Sequence, residues 1–281
     1  MKQLTLLLLA TLFTANISAQ ELKLPALSPT SKLIQEFSTS SIEISYSRPS
    51  MRGRKIFGDL VPYGQVWRTG ANSATKIKFG EDVILGGQEI KAGEYALYTI
   101  PDMKEWTIIL NKGIGNWGQY GYDTKDDIAR FKVIPKMKDG NTQTFTFTIT
   151  NMTYNTCNIE MAWEKTKIIL PVKSNNEERL NAAIDKAINN PSIPYFPAAN
   201  YYYETNQKLD LAYSYVNKAL ETNPKAYYMW NLKARIAQKM GKKDEAITAA
   251  EKSIDAAKGS AAELEYASKA NKIIAEVKSG K

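Results

Sequence analysis

Thr144-Phe-Thr-Phe-Thr-Ile-Thr150 alternates without a break, one residue apolar and the next a threonine. A period of two puts the two sets on opposite faces of a strand, whereas a helix would scatter them around its axis. The β-branched and aromatic side chains suit a pleated surface that is buried on one face. Further along, Cys157, Ile159, Met161 and Trp163 share one face of the next run. Upstream, Ile42, Ile44 and Tyr46 alternate with Ser41, Glu43, Ser45 and Ser47. Val83-Ile-Leu85, Gly86-Gly87 and Gln88-Glu-Ile90 read as a hairpin closed by a two-residue turn. Tyr95 to Ile100 and Trp106 to Leu110 add strands. About nine or ten strands without intervening helical runs predict an all-β antiparallel sandwich or barrel and exclude a βαβ fold.

After the polar Lys173-Ser-Asn-Asn176 the period turns helical. Leu180, Ile184, Ala187 and Ile188 form one stripe, ended by Asn190-Pro191. A 34-residue offset then sets Phe196 on Trp230, Tyr203 on Ala237, Ala212 on Ala246, Ala219 on Ser253 and Asp210 on Asp244. This spacing resembles tetratricopeptide repeats, although the second repeat lacks the consensus glycine and second aromatic. Tyr266, Ala270, Ile273, Ile274 and Val277 predict a capping helix near residues 261–278. The expected organisation is a β-rich domain over 24–173 and a small all-α repeat domain over 177–278. In such repeats the first helix of each pair lines the concave face. The resemblance therefore implies that a protein or peptide partner would meet Tyr201, Tyr228, Asn231, Arg235 and Lys239.

At the N-terminus, Lys2, the apolar Leu4 to Phe13 and Ile17-Ser-Ala19 predict a signal peptide over 1–19, cleaved after Ala19. The expectation is a periplasmic or secreted protein with no membrane span after cleavage. The one cysteine, Cys157, leaves no intramolecular disulfide and is expected as a buried thiol on its strand face. The formal net charge is +8, but the lysines are scattered, so no nucleic-acid partner is expected.

The absence of histidine removes Ser-His-Asp and Cys-His nucleophile systems and His-ligated zinc, and neither metal nor cofactor is expected. Three motif matches fail on context. Gly113-Ile-Gly-Asn-Trp-Gly118 is followed by Gln119-Tyr-Gly-Tyr-Asp123 instead of a helix. Ser73-Ala-Thr-Lys76 runs on as a strand. Asp123, Asp126 and Asp127 lack the order of a calcium loop.

Arginine is concentrated in one place. Of the seven in the chain, Arg48, Arg52, Arg54 and Arg68 fall between residues 48 and 72, where Asp59 is the sole acid. Prolines and glycines make this a long structured loop, and arginine supplies a forked donor set that lysine lacks. Two readings stay open. Arg52, Arg54, Arg68 and Asn72, with Tyr63 and Trp67 for stacking, line a site for an anionic or carboxylate ligand. Alternatively, the loop is a structural clamp. Arg68, between Trp67 and a turn, is expected to be held, and Arg52 and Arg54, flanking Gly53, to be more exposed. Trp117 and Tyr120, among glycines, form either a stacking platform for a sugar or peptide or a lid over the end of the β-domain.

Tyr46-Ser-Arg-Pro, Gly53-Arg-Lys-Ile-Phe-Gly, Leu60-Val-Pro-Tyr-Gly, Val66-Trp-Arg-Thr-Gly-Ala-Asn72, Ala92-Gly-Glu-Tyr-Ala-Leu-Tyr-Thr-Ile-Pro101, Trp117-Gly and Tyr122-Asp carry a family resemblance. Over roughly residues 24–173 the chain resembles the bacterial family called domain of unknown function 2911. The resemblance implies an exported β-rich domain, in some members followed by helical repeats, and supplies no activity. The expected function is a non-enzymatic exported binding or scaffold protein. The alternative is a carboxylate-based hydrolase or lyase using Asp59, Glu94 or Asp123, with Arg68 stabilising an anion.

Overall fold

Residues 24–188 and 194–280 are described by a computed structural model. The expected signal peptide and the Asn190-Pro191 helix stop lie outside these residues. Ten strands occupy the first part: β1 (Thr30–Phe37), β2 (Ser40–Ser47), β3 (Ala71–Phe79), β4 (Val83–Leu85), β5 (Gln88–Ile90), β6 (Gly93–Ile100), β7 (Trp106–Asn111), β8 (Asp127–Val133), β9 (Lys136–Thr150) and β10 (Thr156–Ser174). They form a six-stranded sheet in the order β1-β2-β3-β6-β7-β8 and a four-stranded sheet in the order β5-β4-β10-β9. Every ladder is antiparallel. Apolar residues of both sheets join in one buried cluster, so the β-domain is a sandwich and not a barrel.

The threonine-rich stretch is the end of β9, with Phe145 and Phe147 buried. β10 explains how one long strand serves one core along its whole length. Cys157, Ile159, Met161 and Trp163 point inward at odd positions, whereas Ile168, Leu170 and Val172 do so at even ones. Between them the register with β9 shifts on both sides of Glu164, whose φ of 54° is left-handed. A bulge of this kind resets the parity, so both halves face the same sheet. The β4–β5 turn is Gly86-Gly87, both at positive φ, as a tight hairpin requires. A Cβ at Gly86 would lie 2.3 Å from the Phe131 ring, so the position also admits no side chain.

Six α-helices follow: α1 (Glu177–Ile188), α2 (Tyr195–Glu204), α3 (Leu209–Thr222), α4 (Tyr227–Lys239), α5 (Lys243–Ala257) and α6 (Glu263–Ser279). The repeat offset aligns α2–α3 with α4–α5. Ala212 and Ala246 are both fully buried, and Ser253, opposite Ala219 in the offset, hides its hydroxyl by donating to the Tyr227 carbonyl at 2.9 Å. Ala234, Ala237, Ala246, Ala249 and Ala250 make a small-residue surface against which α6 lays Ala270, Ile273 and Val277. Small side chains let helix axes approach closely. No helix among the described residues is long and apolar enough to cross a membrane.

The stretch joining the two parts is anchored. Ser174 and Asn176 are buried, and the Asn175 amide donates to the Asp82 carbonyl at 2.8 Å. Glu81 is the hub: its carboxylate accepts from Thr39 Oγ1 (2.6 Å), Asn176 Nδ2 (2.7 Å) and Arg179 Nη2 (3.0 Å). Burial pushes its pKa up, but the bonds from Thr39, Asn176 and Ser38 outweigh that and leave it below the ordinary value. A depressed folded-state pKa stabilises above the unfolded value, and that contribution is lost as pH falls through the folded one. On the helical side, Asn200 Nδ2 donates to Tyr154 Oη. Glu81→Ala should therefore speed tryptic cleavage after Lys173 and Arg179 by about tenfold or more through local opening. The wild-type protein should show the same acceleration only on the acid side of the carboxylate range. Equal cleavage rates in the two proteins at neutral pH would show that Glu81 does not hold the joint.

Candidate functional site

Two concavities bring the singled-out residues together, one on each part of the chain. The first is built by the segment between β2 and β3. Met51, Ile56, Phe57, Val61 and Trp67 of this loop are buried in the sandwich core. Trp67 lies nearly parallel to Trp163 of β10, ring centroids 6.0 Å apart and planes 17° from parallel. Phe57 meets Trp67, Trp106 and Trp163 edge-on. The Trp67 indole donates to the Gly70 carbonyl at 3.0 Å, and its backbone exchanges bonds with Thr99 of β6 at 2.7 and 2.9 Å. The loop is thus packed by its own side chains.

Three of its arginines bind backbone. Arg48 donates to the Phe145 carbonyl and to Thr146 Oγ1, Arg52 to the Leu27 carbonyl, and Arg54 to the Met51 and Ser50 carbonyls. Arg68 differs. Its Nη1 donates to Gln119 Oε1 at 2.9 Å, while its Nε is buried without any acceptor. No carboxylate among the described residues comes within ion-pair distance of it. Arg52 and Arg54 are the more exposed, as their flanks predict, but exposure does not leave them free, and Arg68 is half-buried yet only lightly held. The tertiary fold brings Arg52 its acceptor from Leu27, whereas Arg54 finds its acceptors three and four residues back in the same loop.

Arg68 faces a cavity of about 530 Å³ with Arg54, Gln119, Trp163 and the apolar Leu60 and Val66 among its walls, and no acidic side chain in its lining. Asn72 lies apart, its amide donating to the Ser28 carbonyl and Ser47 Oγ. Tyr63 packs beneath Gly58, where a Cβ would lie 2.5 Å from the ring. Trp117 and Tyr120 are 66% and 77% exposed, so they form no lid over the core. Gly118 links them to the pocket: a Cβ there would lie 3.3 Å from Arg68 Nη1 and 3.4 Å from Tyr120. The arginine loop and the aromatic loop, separate in the sequence, thus meet at Arg68.

The remaining motifs have local roles. Asp123 caps a short 3₁₀ turn, Thr124–Asp126, by accepting from the Lys125 amide. Asp127 accepts from Tyr122 and Asn111, and Tyr122, pushed up to about 12 by burial and then by Asp127, stays a donor. Glu94 stands opposite Lys78 in the sheet, and Asp59 is exposed in the loop. These carboxylates are spread over separate elements, and none of them lines the Arg68 cavity. Among the described residues, no group of His, Cys, Asp and Glu is placed to hold a metal ion. Burial pushes the Cys157 thiol up to about 11, which keeps it protonated and unreactive.

The second concavity is a groove of about 500 Å³ between α2, α4 and α6. Tyr228, Asn231 and Arg235 line it. Asn231 is 6% exposed, and its Nδ2 is buried with no acceptor. Tyr201 does not reach the groove and turns its ring toward Tyr154 of the β-domain, 6.5 Å away. Lys239 folds over the Tyr203 ring at 4.5 Å and donates to the Tyr203 carbonyl. Sequence reasoning missed the third wall: Tyr266, Lys269, Lys272 and Glu276 of α6. Their helical spacing was the available signal, but the apolar stripe beside them pointed only to a cap.

Arg48→Lys and Arg54→Lys should each lower the melting temperature by several degrees. Each loses bonds that contribute roughly 1 kcal/mol apiece. Arg68→Lys should be close to neutral, because it removes a donor that already lacks an acceptor. Thermal melts followed by near-ultraviolet circular dichroism of the tryptophans would check this. A loss for Arg68→Lys as large as for Arg48→Lys would contradict it.

No curated protein and no solved structure matches the chain. The family described as "Protein of unknown function (DUF2911)" matches residues 28–172, which is the whole sandwich together with its arginine loop, and the chain belongs to that family.

Proposed function

We propose that this is an exported, non-enzymatic binding protein whose helical groove holds an acidic segment of another polypeptide. The observation that carries the reading is Asn231. Its amide is buried at the groove with a donor that nothing among the described residues accepts, an arrangement that costs about 1–3 kcal/mol unless a partner fills it. An extended peptide supplies carbonyl acceptors at regular spacing, and Phe196, Tyr228 and Tyr266 offer rings for its side chains. The lining carries Arg235, Lys269 and Lys272 against Glu276; these cations pair at the surface with Glu204, Glu265 and Glu276, and such exposed pairs are weak enough to exchange for a partner's carboxylates. Export rests on the N-terminal sequence pattern. The joint at Glu81 and the contacts of Asn200 and Tyr201 with Tyr154 support a scaffold role, since they tie the helices to the sandwich.

The test is in-cell photo-crosslinking from position 235 in the groove and from position 251 on the exposed face of α5. A reproducible adduct from 235 alone, lost in Asn231→Leu and mapping to an acidic segment, is the expected result. Adducts of equal yield from both positions, or none from 235, would overturn the proposal.

A further inference from the structure

We propose that the Arg68 cavity of the sandwich is a second binding site, for a small organic carboxylate with a flat apolar body. A guanidinium withdrawn from water needs acceptors, and buried arginines ordinarily have them. Among the described residues, Arg68 alone of the arginines has a buried guanidinium nitrogen with no acceptor. Gln119 occupies Nη1, and among the described residues neither the buried Nε nor the solvent-reached Nη2 donates to an acceptor. The Nε–Nη2 edge is the face of the fork that grips a carboxylate with two parallel bonds. A neutral amide on the third nitrogen leaves the positive charge uncompensated.

The walls decide the rest of the ligand. Leu60, Val61, Pro62, Val66, Trp67 and Trp163 supply an apolar lining, and Arg54 is a second cation at the same cavity, held by two backbone carbonyls. The volume of about 530 Å³ falls within the range of small-molecule sites. One free guanidinium edge suits a monoanion. A phosphate dianion would call for a cluster of further donors, and the cations of this lining are Arg68 and Arg54, the latter already held by two backbone carbonyls. The site goes beyond the peptide groove and does not depend on it.

The test uses the full chain and matched probes: benzoate, phenylacetate and cyclohexanecarboxylate, with benzamide and inorganic phosphate as counterparts. The expected result is a rise in melting temperature with at least one carboxylate at about 10 mM, and none with benzamide or phosphate. In Arg68→Lys that carboxylate should bind about tenfold more weakly by calorimetry, because lysine keeps the charge and loses the fork. Leu60→Trp, at an exposed position of the lining, should abolish the response while leaving Arg68 intact, and it decides the matter should Arg68→Lys fold poorly. Silence toward all three carboxylates would overturn the site. So would an equal response to benzamide or phosphate, or undiminished binding in Leu60→Trp.

Discussion

The indole of Trp67 lies against that of Trp163, 6.0 Å away and nearly parallel, with Phe57, Trp106 and Phe145 edge-on around the pair. Trp67 comes from a loop and Trp163 from the four-stranded sheet, so this stack seats the loop in the space between the sheets. Burying one such ring contributes a few kcal/mol, and each well-oriented aromatic pair adds roughly 0.5–1.5 kcal/mol. Several features of the sandwich serve to keep it in place. Backbone bonds between Trp67 and Thr99 extend the six-stranded sheet toward the loop. Arg48 reaches across to the Phe145 carbonyl, and the bulge at Glu164 follows immediately after Trp163. There the Glu164 carboxylate accepts from the Phe57 amide at 3.5 Å.

Seating Trp67 also fixes what its neighbour does. Trp67, seated in the core, forms part of the cavity wall and holds Arg68 beside it at the cavity, where its Nη1 donates to Gln119. The turn that follows, with Thr69 at a φ of 53°, closes the segment onto β3. The guanidinium is therefore half-withdrawn from water by the same geometry that builds the core. Past the other end of β3, Glu81 plays the corresponding part, gathering Thr39, Asn176 and Arg179 so that the start of α1 is held to the sandwich.

Much of this was legible in the sequence where the physics is local. Period-two runs marked the strands, Gly86-Gly87 marked its hairpin, and the offset linking Ala212 to Ala246 marked two helix pairs. Motifs in the loop pointed to the family, whose match over 28–172 falls within the expected 24–173. The legible part ended where long-range partners decide. The flanks of Arg68 suggest a held side chain and those of Arg52 an exposed one, and neither says which acceptor each finds. The acceptor for Arg52 is the carbonyl of Leu27, and Arg68 receives only a glutamine from position 119. Local sequence carries no record of which carbonyls the fold delivers. Tyr201 occupies a helix-A position by spacing, yet Tyr154, from the turn between β9 and β10, draws it to the joint. The bulge at Glu164 was likewise hidden, since parity on either side of it looks regular.

The central claim is that the segment between β2 and β3 is anchored in the sandwich core through Met51, Ile56, Phe57, Val61 and Trp67 and is not a loosely held surface loop. Native-state hydrogen exchange measures this directly. The Trp67 and Val61 amides, which donate to the carbonyls of Thr99 and Ile56, should exchange as slowly as those of β3 and β6, by global unfolding. Exchange of these amides at the rates of the exposed Lys112–Tyr122 turns, while β3 and β6 stay protected, would contradict the account.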